Sequence, residues 1–309
     1  MIVRILGRDP SGEADALTPA DLAASHPLWA AFVGPPDGWR EVSEEGGAVF
    51  FVGPGQKDHD PGTGGRPGRL TVCGPCSSSL DVAWAMVRAG DFRPFDSVLA
   101  VSQRGGRGQL RREWDSPPGN LYAAFAWPGD PPDPESLLPV FTGYVLARHL
   151  SSLGIEAGFK WPNDLVIGEK KIGGTLLEQR GERVLAGVGI NLTRAPSPEK
   201  LRANHALLAG TLAEHGLFPG PVRFWTDLVK FLQTCYHDCV TASCSFPPVS
   251  RMERKLAFLG RNVLVREGGT DVYPACVLGL AEDGGLRLMR RVDGRNRECV
   301  IHSGGITLL

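Results

Sequence analysis

The spacing of hydrophobic and polar positions changes several times along the chain. Ile2–Leu6 is a short apolar run of strand type, and Pro19–Phe32 spaces its apolar residues as a helix with Thr18 as N-cap. Ala48–Val52 reads as a buried strand. Periodicity then disappears in Gly53–Gly68, GPGQKDHDPGTGGRPG, the composition of a linker or long surface loop. From Arg69 onward strands and helices alternate. Leu70–Cys73 and Ser97–Ser102 predict strands flanking a helix over Leu80–Arg88, with Ser78 or Ser79 near its start. Asn120–Trp127 alternates apolar positions, and Pro134–Leu153 predicts a long amphipathic helix ended by Gly154. Lys171–Glu178 and Arg183–Leu192, joined at Gly181, predict an antiparallel hairpin. Helices are expected at Pro198–His215, Pro221–Thr241 and Ser250–Phe258. After Gly260 the pattern shortens into Asn262–Arg266, Val272–Leu280, Leu286–Arg290, Glu298–His302 and Ile306–Leu309, mostly separated by glycine turns. Five short strands in about fifty residues suit a small barrel.

Composition narrows this picture. A length of 309 residues suggests two domains with an extra segment. Glycine (40) and proline (25) are abundant, yet an apolar fraction of 42% rules out a wholly disordered chain. Net charge is 33 − 34 = −1, which argues against a strongly basic nucleic-acid binder and against a highly acidic chain. No run reaches the ~18 apolar residues of a membrane span, and the start lacks a signal-type apolar region. A cytoplasmic protein is expected, with no membrane partner. The seven cysteines include Cys73-Gly-Pro-Cys76, but no second ligand pair has clean zinc spacing. Plain reduced thiols are the simpler reading and no metal site is assigned.

Chemistry gathers in three stretches. Between Arg104 and Arg112 three glycines and four arginines follow a predicted strand. Glycine lets backbone N–H groups approach an anion, and arginine adds bidentate contacts to phosphate or carboxylate. The loop matches neither a Walker A loop nor G-x-G-x-x-G, and a solvated basic loop is an equal reading of it alone. Lys160-Trp-Pro-Asn-Asp-Leu165 is a turn sequence with an aromatic, and Lys170-Lys171-Ile-Gly-Gly174 opens a strand with backbone bare enough to pass close to a ligand. Gly187-Val-Gly-Ile-Asn191 ends an apolar run on a polar residue.

Taken in order, the GRG loop with its nearby tryptophan, SPPGNLY, KWPNDL, KKIGGTLLE and GVGINL resemble the biotin–protein ligase family over residues from about 70 to 309. The resemblance is to the monofunctional type, since residues 1–54 show no helix-turn-helix pattern, and it implies no specific DNA binding. It implies an α+β fold: a class II aminoacyl-tRNA synthetase/biotin ligase-like catalytic domain over 69–258, with a mixed, mostly antiparallel sheet. A small C-terminal SH3-like β-barrel would follow over 259–309, and 1–68 would be an N-terminal extension with linker. The implied activity joins biotin to ATP as biotinyl-5′-AMP, with Mg2+, and then transfers biotin to a lysine of a biotin carboxyl carrier domain. A homodimer paired through the catalytic sheet is a family possibility.

The same resemblance implies site roles. Arg107 and Lys171 would be catalytic, offsetting the repulsion between carboxylate and α-phosphate. Ser78, Ser79 and Gln103 would bind biotin's ureido ring, and Gly173 and Gly174 would let the Lys171 strand pass close to biotin. Gly108, Trp114, Asn120, Asn163, Asp164 and Asn191 would line the adenylate, the last three toward phosphates or magnesium. Ser78 and Ser79 also read as helix caps, Trp114 as core and Asp164 as a turn residue. Two departures stand out: Gln109 where the family has a basic residue, and Gly304-Gly305-Ile-Thr-Leu-Leu309 where it has acidic and basic ones. The first implies looser retention of the adenylate, measurable as its release without acceptor, unless Arg111 or Arg112 compensates. A lipoate-type ligase or acyltransferase of the same fold, and a non-catalytic biotin-binding module, are the competing readings.

Overall fold

A computed structural model describes residues 1–44, 47–53, 68–109, 112–129, 137–196, 207–217, 219–241, 248–267 and 271–309. Chain order begins β1 (Ile2–Arg8), α1 (Pro19–Ser25), α2 (Pro27–Val33), β2 (Arg40–Ser43), β3 (Val49–Val52), β4 (Arg69–Cys73), α3 (Ser79–Arg88), β5 (Ser97–Ala100), β6 (Leu121–Ala126) and α4 (Leu137–Ser152). It continues with β7 (Ala157–Lys160), β8 (Asp164–Ile167), β9 (Lys170–Arg180), β10 (Arg183–Ile190), α5 (Pro221–Thr241) and α6 (Val249–Glu253). Strands β11 (Asn262–Glu267), β12 (Asp271–Leu280), β13 (Leu286–Val292), β14 (Arg295–Ile301) and β15 (Gly305–Leu308) close it. Two compact units result: Met1–Gly129 with Leu176–Arg194 and Thr211–Val229, and Asp130–Thr175 with Ala195–Gly210 and Lys230–Leu309. The sequence-based boundaries at 68/69 and 258/259 do not coincide with this division.

The first unit is built on strands in the order β2-β3-β1-β4-β5-β6-β10. Strand β4 runs parallel to both β1 and β5, and the other pairs are antiparallel, so the sheet is mixed. The leading segment is therefore part of this sheet, with β1 lying between β3 and β4. Buried Arg4 fixes it there: it donates to Thr71, Glu44 and Asp91 and stacks on Phe50 at 3.7 Å. A buried guanidinium is tolerable only when paired this fully. Helix α3 packs on β5, β6 and β10, burying Leu80, Val82, Ala83 and Trp84. Every residue of β6 is buried, so the expected alternation has no exposed face to report. The Trp225 ring of α5 stands 5.9 Å from Phe125 in that strand.

The predicted single helix over Pro19–Phe32 is two. Pro27 has no N–H to donate, and His26 before it is extended (φ −169°, ψ 146°). His26 ends α1 and caps α2 through its ring, while Thr18 and Asp21 form the capping box expected of α1.

In the second unit β9, β8 and β7 are neighbours in that order. Helix α4 packs on β7 and β8. It is buried nearly all round rather than amphipathic. Gly143 allows the approach, since a Cβ there would lie 3.0 Å from Phe159. Strands β11–β15 form an antiparallel sheet in the order β14-β13-β12-β11-β15, with β14 and β15 at its edges rather than joined into a closed barrel. Helix α6 is shorter than Ser250–Phe258 because the following backbone pairs with β7: Phe159 N donates to Lys255 O and Ala257 N to Phe159 O, both at 2.8 Å. The helix expected over Pro198–His215 is absent from described residues 207–212, where Ala209 bridges Lys171 in parallel register; only Ala213–His215 makes a helical turn. Residues 197–206, and the Gly/Pro-rich stretch over 54–67, lie outside the described residues. No helix among the described residues is long and apolar enough to cross a membrane.

Candidate active site

Within the first unit, two loops present Ser78, Ser79, Gln103 and Arg107. Ser78 caps α3: its hydroxyl accepts from Asp81 N at 3.1 Å and donates to Asp81 Oδ2 at 2.9 Å. Gln103 ties the next loop to that helix start. Its Oε1 accepts from Ser79 N at 2.8 Å, and its Nε2 donates to Ser116 Oγ at 2.8 Å. Gly106 is needed beneath, because a Cβ there would sit 2.5 Å from both Ser116 Oγ and Trp114 O. Trp114 N donates to Gly106 O and Gly108 N to Arg112 O, both at 2.8 Å, closing the loop around Arg107.

Arg107 extends to two carboxylates. It meets Asp81 bidentately at 2.7 and 2.8 Å and Glu178 at 3.2 Å. The Asp81 bond, then the Asp81 and Glu178 charges, outweigh burial and hold its proton more firmly than usual. Burial works against the Asp81 carboxylate, but Arg107 and Ser78 outweigh it, leaving its pKa below the usual value. Glu178 is held in turn by Trp84 Nε1 at 2.8 Å. The result is a partly exposed cation, 35% accessible, poised between two ordered anions.

The glycines of Gly187-Val-Gly189 answer to packing. A Cβ on Gly187 would lie 2.8 Å from Leu80, and one on Gly189 would lie 2.7 Å from the Trp114 indole. Trp114 thus lies on β10. Asn120 is buried and its amide closes the neighbouring loop, donating to Arg194 O at 2.7 Å and accepting from Thr193 N and Arg194 N. Asn191 is buried, and its carbonyl accepts from Leu212 N at 2.9 Å. Gln109 is half-buried, Arg112 is exposed, and Arg111 lies outside the described residues. Cys73 and Cys76 are buried; hydrogen bonding with Cys76, then burial, pushes the Cys73 thiol up. Among the described residues no group of three or more His, Cys, Asp or Glu is placed to hold a metal.

The second unit holds Asn163, Asp164, Lys171, Gly173 and Gly174. Strands β8 and β9 pair Asp164 with Gly174 and Leu165 with Gly173, then skip to pair Val166 with Lys171. Ile172 is the extra residue of a bulge. Under strict alternation residues 172 and 174 share a face and residue 171 points away. The bulge turns Lys171 back toward Asp164, and Nζ meets Oδ1 at 2.5 Å. A Cβ on Gly174 would lie 3.6 Å from Lys171 Nζ. Lys160 takes the other oxygen of Asp164 at 2.9 Å. Burial raises the Asp164 pKa, yet Lys171 and Lys160 more than offset it and leave it lowered. A carboxylate held by two lysines is a poor cation ligand, so the expected turn of Asp164 toward magnesium is not what this geometry supports. Asn163 Nδ2 donates to Thr175 O at 2.6 Å, closing the turn. Extended residues 208–210 flank Lys171, whose N–H donates to Leu208 O. A groove of about 550 Å³ bordered by Glu156, Val166, Lys255 and Phe258 contains none of these residues.

Residue patterns missed Asp81, Glu178 and Lys160 as partners. Ser78-x-x-Asp81 was legible as a capping signal. That the same carboxylate grips Arg107 depends on a contact 26 residues away.

Comparison with known proteins places this architecture. A family model described as the biotin/lipoate A/B protein ligase family matches residues 80–193. A biotin--[acetyl-CoA-carboxylase] ligase of Paracoccus denitrificans is 35% identical over 211 residues, 64% of this chain and 85% of that protein. The bifunctional ligase/repressor BirA of Escherichia coli is 28% identical over 209 residues, 65% of this chain. The chain spans only 64% of the length of that relative, and 60% of a Bacillus subtilis BirA. Among solved structures, the biotin protein ligase from Aquifex aeolicus in complex with biotin and ATP superposes with a TM-score of 0.63 at 24% identity. That likeness covers 78% of this chain and 99% of that one, and it establishes the fold.

Proposed function

Because this chain belongs to the biotin/lipoate A/B protein ligase family, we propose that it is an ATP-dependent biotin–protein ligase. The observation that carries the reading is Arg107, a partly exposed guanidinium on a glycine loop hydrogen-bonded to the start of α3. In the proposed first step a biotin carboxylate oxygen attacks the α-phosphorus of MgATP. The α–β phosphoanhydride bond breaks, and pyrophosphate leaves. In the second, a lysine amine of a biotin carboxyl carrier domain attacks the acyl carbon, loses its proton, and AMP departs.

Two anions must meet in the first step, so fixed cations lower its barrier. Arg107 serves this by exchanging Asp81 or Glu178 for the substrate carboxylate or α-phosphate. Lys171, oriented by Asp164, stabilises charge developing on the transferring oxygens. Ser78, Ser79 and Gln103 read the ureido ring, and Gly173 and Gly174 leave room beside Lys171. Gly108 and Trp114 border the adenylate. Asn120, Asn163 and Asn191 act on it through the turns and loops they hold. Magnesium enters with ATP as substrate, since Asp164 already pairs with two lysines. The proposal also keeps 69–258 as the catalytic region and 259–309 as a small domain of SH3-like descent. A second copy pairing through the catalytic sheet is compatible with it. Operator binding is not proposed, because β1 to β3 of the leading segment are strands of the first unit's sheet.

The deciding experiment is biotin-dependent ATP–pyrophosphate exchange, followed by transfer to a carrier domain. Exchange with biotin is expected, and Lys171→Ala should lower its rate about 100-fold or more with an unchanged circular dichroism spectrum, the scale of losing one fixed charge-stabilising donor. Exchange supported by lipoate instead, or none with either acid, would replace this reading.

A further inference from the structure

Residues 9–26 precede every ligand-type motif, yet within the first unit they touch three of the loops that carry candidate residues. Glu13 holds the loop before α3. Its carbonyl accepts from Ser77 N at 2.9 Å and its Oε2 accepts from Ser77 Oγ at 2.7 Å. Asp15 N donates to Pro75 O at 2.9 Å, and Ala14 bridges Cys76 in antiparallel register. The next layer follows at once. Cys76 bridges Gln103 in parallel register, Arg104 N donates to Cys76 O, and Gly105 N donates to Ser77 O, both at 2.8 Å. Asp15 also reaches that second loop directly, through an ion pair with Arg104 at 2.7 Å. Further along, His26 lies against the third loop: a Cβ on Gly119, whose φ is +99°, would be 2.7 Å from His26 Nε2. The next residue is Asn120.

The segment is itself fastened. Asp9 Oδ2 accepts from Ala14 N at 3.0 Å, Leu17 N donates to Gly7 O at 3.2 Å, and the Thr18–Asp21 capping box fixes α1. Residues 13–15 thus form an outer strand-like layer on 75–77, which layer in turn on 103–105. Ser78, Ser79, Gln103 and Arg107 all hang from the two inner layers.

We propose that residues 13–26 are a positioning strap that sets these loops for ligand before it binds, with Glu13 and Asp15 as positioning residues. The inference rests on the biotin ligase reading for the identity of the ligand. Glu13 and Asp15 touch no substrate in this scheme; they act through Ser77 and Arg104. Loops left free to sample other conformations bind more weakly in proportion to the competent fraction. A strap of this kind therefore acts on affinity, and leaves the rate of the bound complex alone.

The test uses the full chain with Glu13→Ala, Asp15→Asn and the double variant. Each single variant should raise the biotin KM about threefold and the double about tenfold, the scale of one and two hydrogen bonds. The kcat should be unmoved. Glu13→Gln should restore part of the loss, because its amide oxygen still accepts from Ser77. The Asp15→Asn effect should vanish in about 1 M salt, where exposed pairs are screened; Asp15 and Arg104 are 52% and 55% exposed. An unchanged biotin KM in the double variant overturns the proposal, as does a lowered Tm with the KM unaltered. Should the wild type show no biotin-dependent exchange, the enzymatic reading falls separately. Amide hydrogen exchange over 75–79 and 103–107 then decides the strap, and equal protection in wild type and double variant refutes it.

Discussion

Asp164→Asn is the sharpest test of the second unit's chemistry. The side chains of Asp164, Lys160 and Lys171 are 14%, 9% and 29% exposed, and the carboxylate lies 2.9 and 2.5 Å from the two ammonium groups. Unit charges at such range attract by about 6 kcal/mol at an effective dielectric near 20, but desolvation cancels much of that when a pair forms. Removing the anion alone is different. It leaves the lysines desolvated without recompense, which costs about 3–5 kcal/mol for a buried pair. Lys171 can turn toward water, whereas Lys160 keeps, among the described residues, the Ile306 carbonyl at 3.2 Å. The expected loss is therefore at the lower end, about 3 kcal/mol near neutral pH. Its pH dependence has a definite sign. The native pKa of Asp164 is depressed below the ordinary carboxylate value. The stabilisation is thus complete above about pH 4 and disappears as pH falls through the lowered native value. Urea unfolding of wild type and variant should show a constant gap from about pH 8 to pH 5 that closes on further acidification. A gap below about 1 kcal/mol near neutrality, the size of an exposed ion pair, would refute the reasoning. So would a gap that persists undiminished in acid.

Gly189→Ala places a methyl 2.7 Å from the Trp114 indole, so the ring must leave β10. A shifted Trp114 fluorescence and a raised KM for ATP are expected, with a stability loss of about 1–3 kcal/mol; an unmoved spectrum and KM would free Trp114 from its assigned place. Trp161→Phe removes the bond from Nε1 to Gly284 O at 3.1 Å and strands that carbonyl in a buried place. Urea unfolding should register a loss of about 2–3 kcal/mol, combining the unsatisfied acceptor with lost ring volume, and a loss under about 0.5 kcal/mol would contradict the contact.

Elements whose period and punctuation are local were legible in the sequence. The tail strands β11–β15 fall where alternation and Gly turns put them, and Asp293-Gly294 adopts the positive φ values, 51° and 73°, that a tight hairpin needs. Strands β1, β3 and β4 and helix α3 were legible for the same reason. What failed was set by distant partners. Residues 208–210 look helical in composition but lie extended beside Lys171, and the backbone after Glu253 leaves the helix to pair with Phe159. The same division holds at the site. Arg107 and Lys171 stand out by motif. Their pairing with carboxylates does not: Asp81 draws no reading of its own beside Ser78, and Asp164 reads as a turn or adenylate residue rather than as the partner of a lysine. The bulge at Ile172 that aims Lys171 has no signal in a run of apolar residues and glycines.

The way the Lys160-Trp161 pair grips the five-stranded sheet has a consequence for how that sheet can change. Both contacts end on main-chain carbonyls, those of Ile306 and Gly284. A carbonyl is present whatever side chain it follows. The joint is therefore blind to sequence on the sheet's side, and the side chains at positions 305 and 309 can change without loosening it. Divergence at this end of the chain becomes a question of what the sheet offers to ligands, and no longer of whether it stays attached.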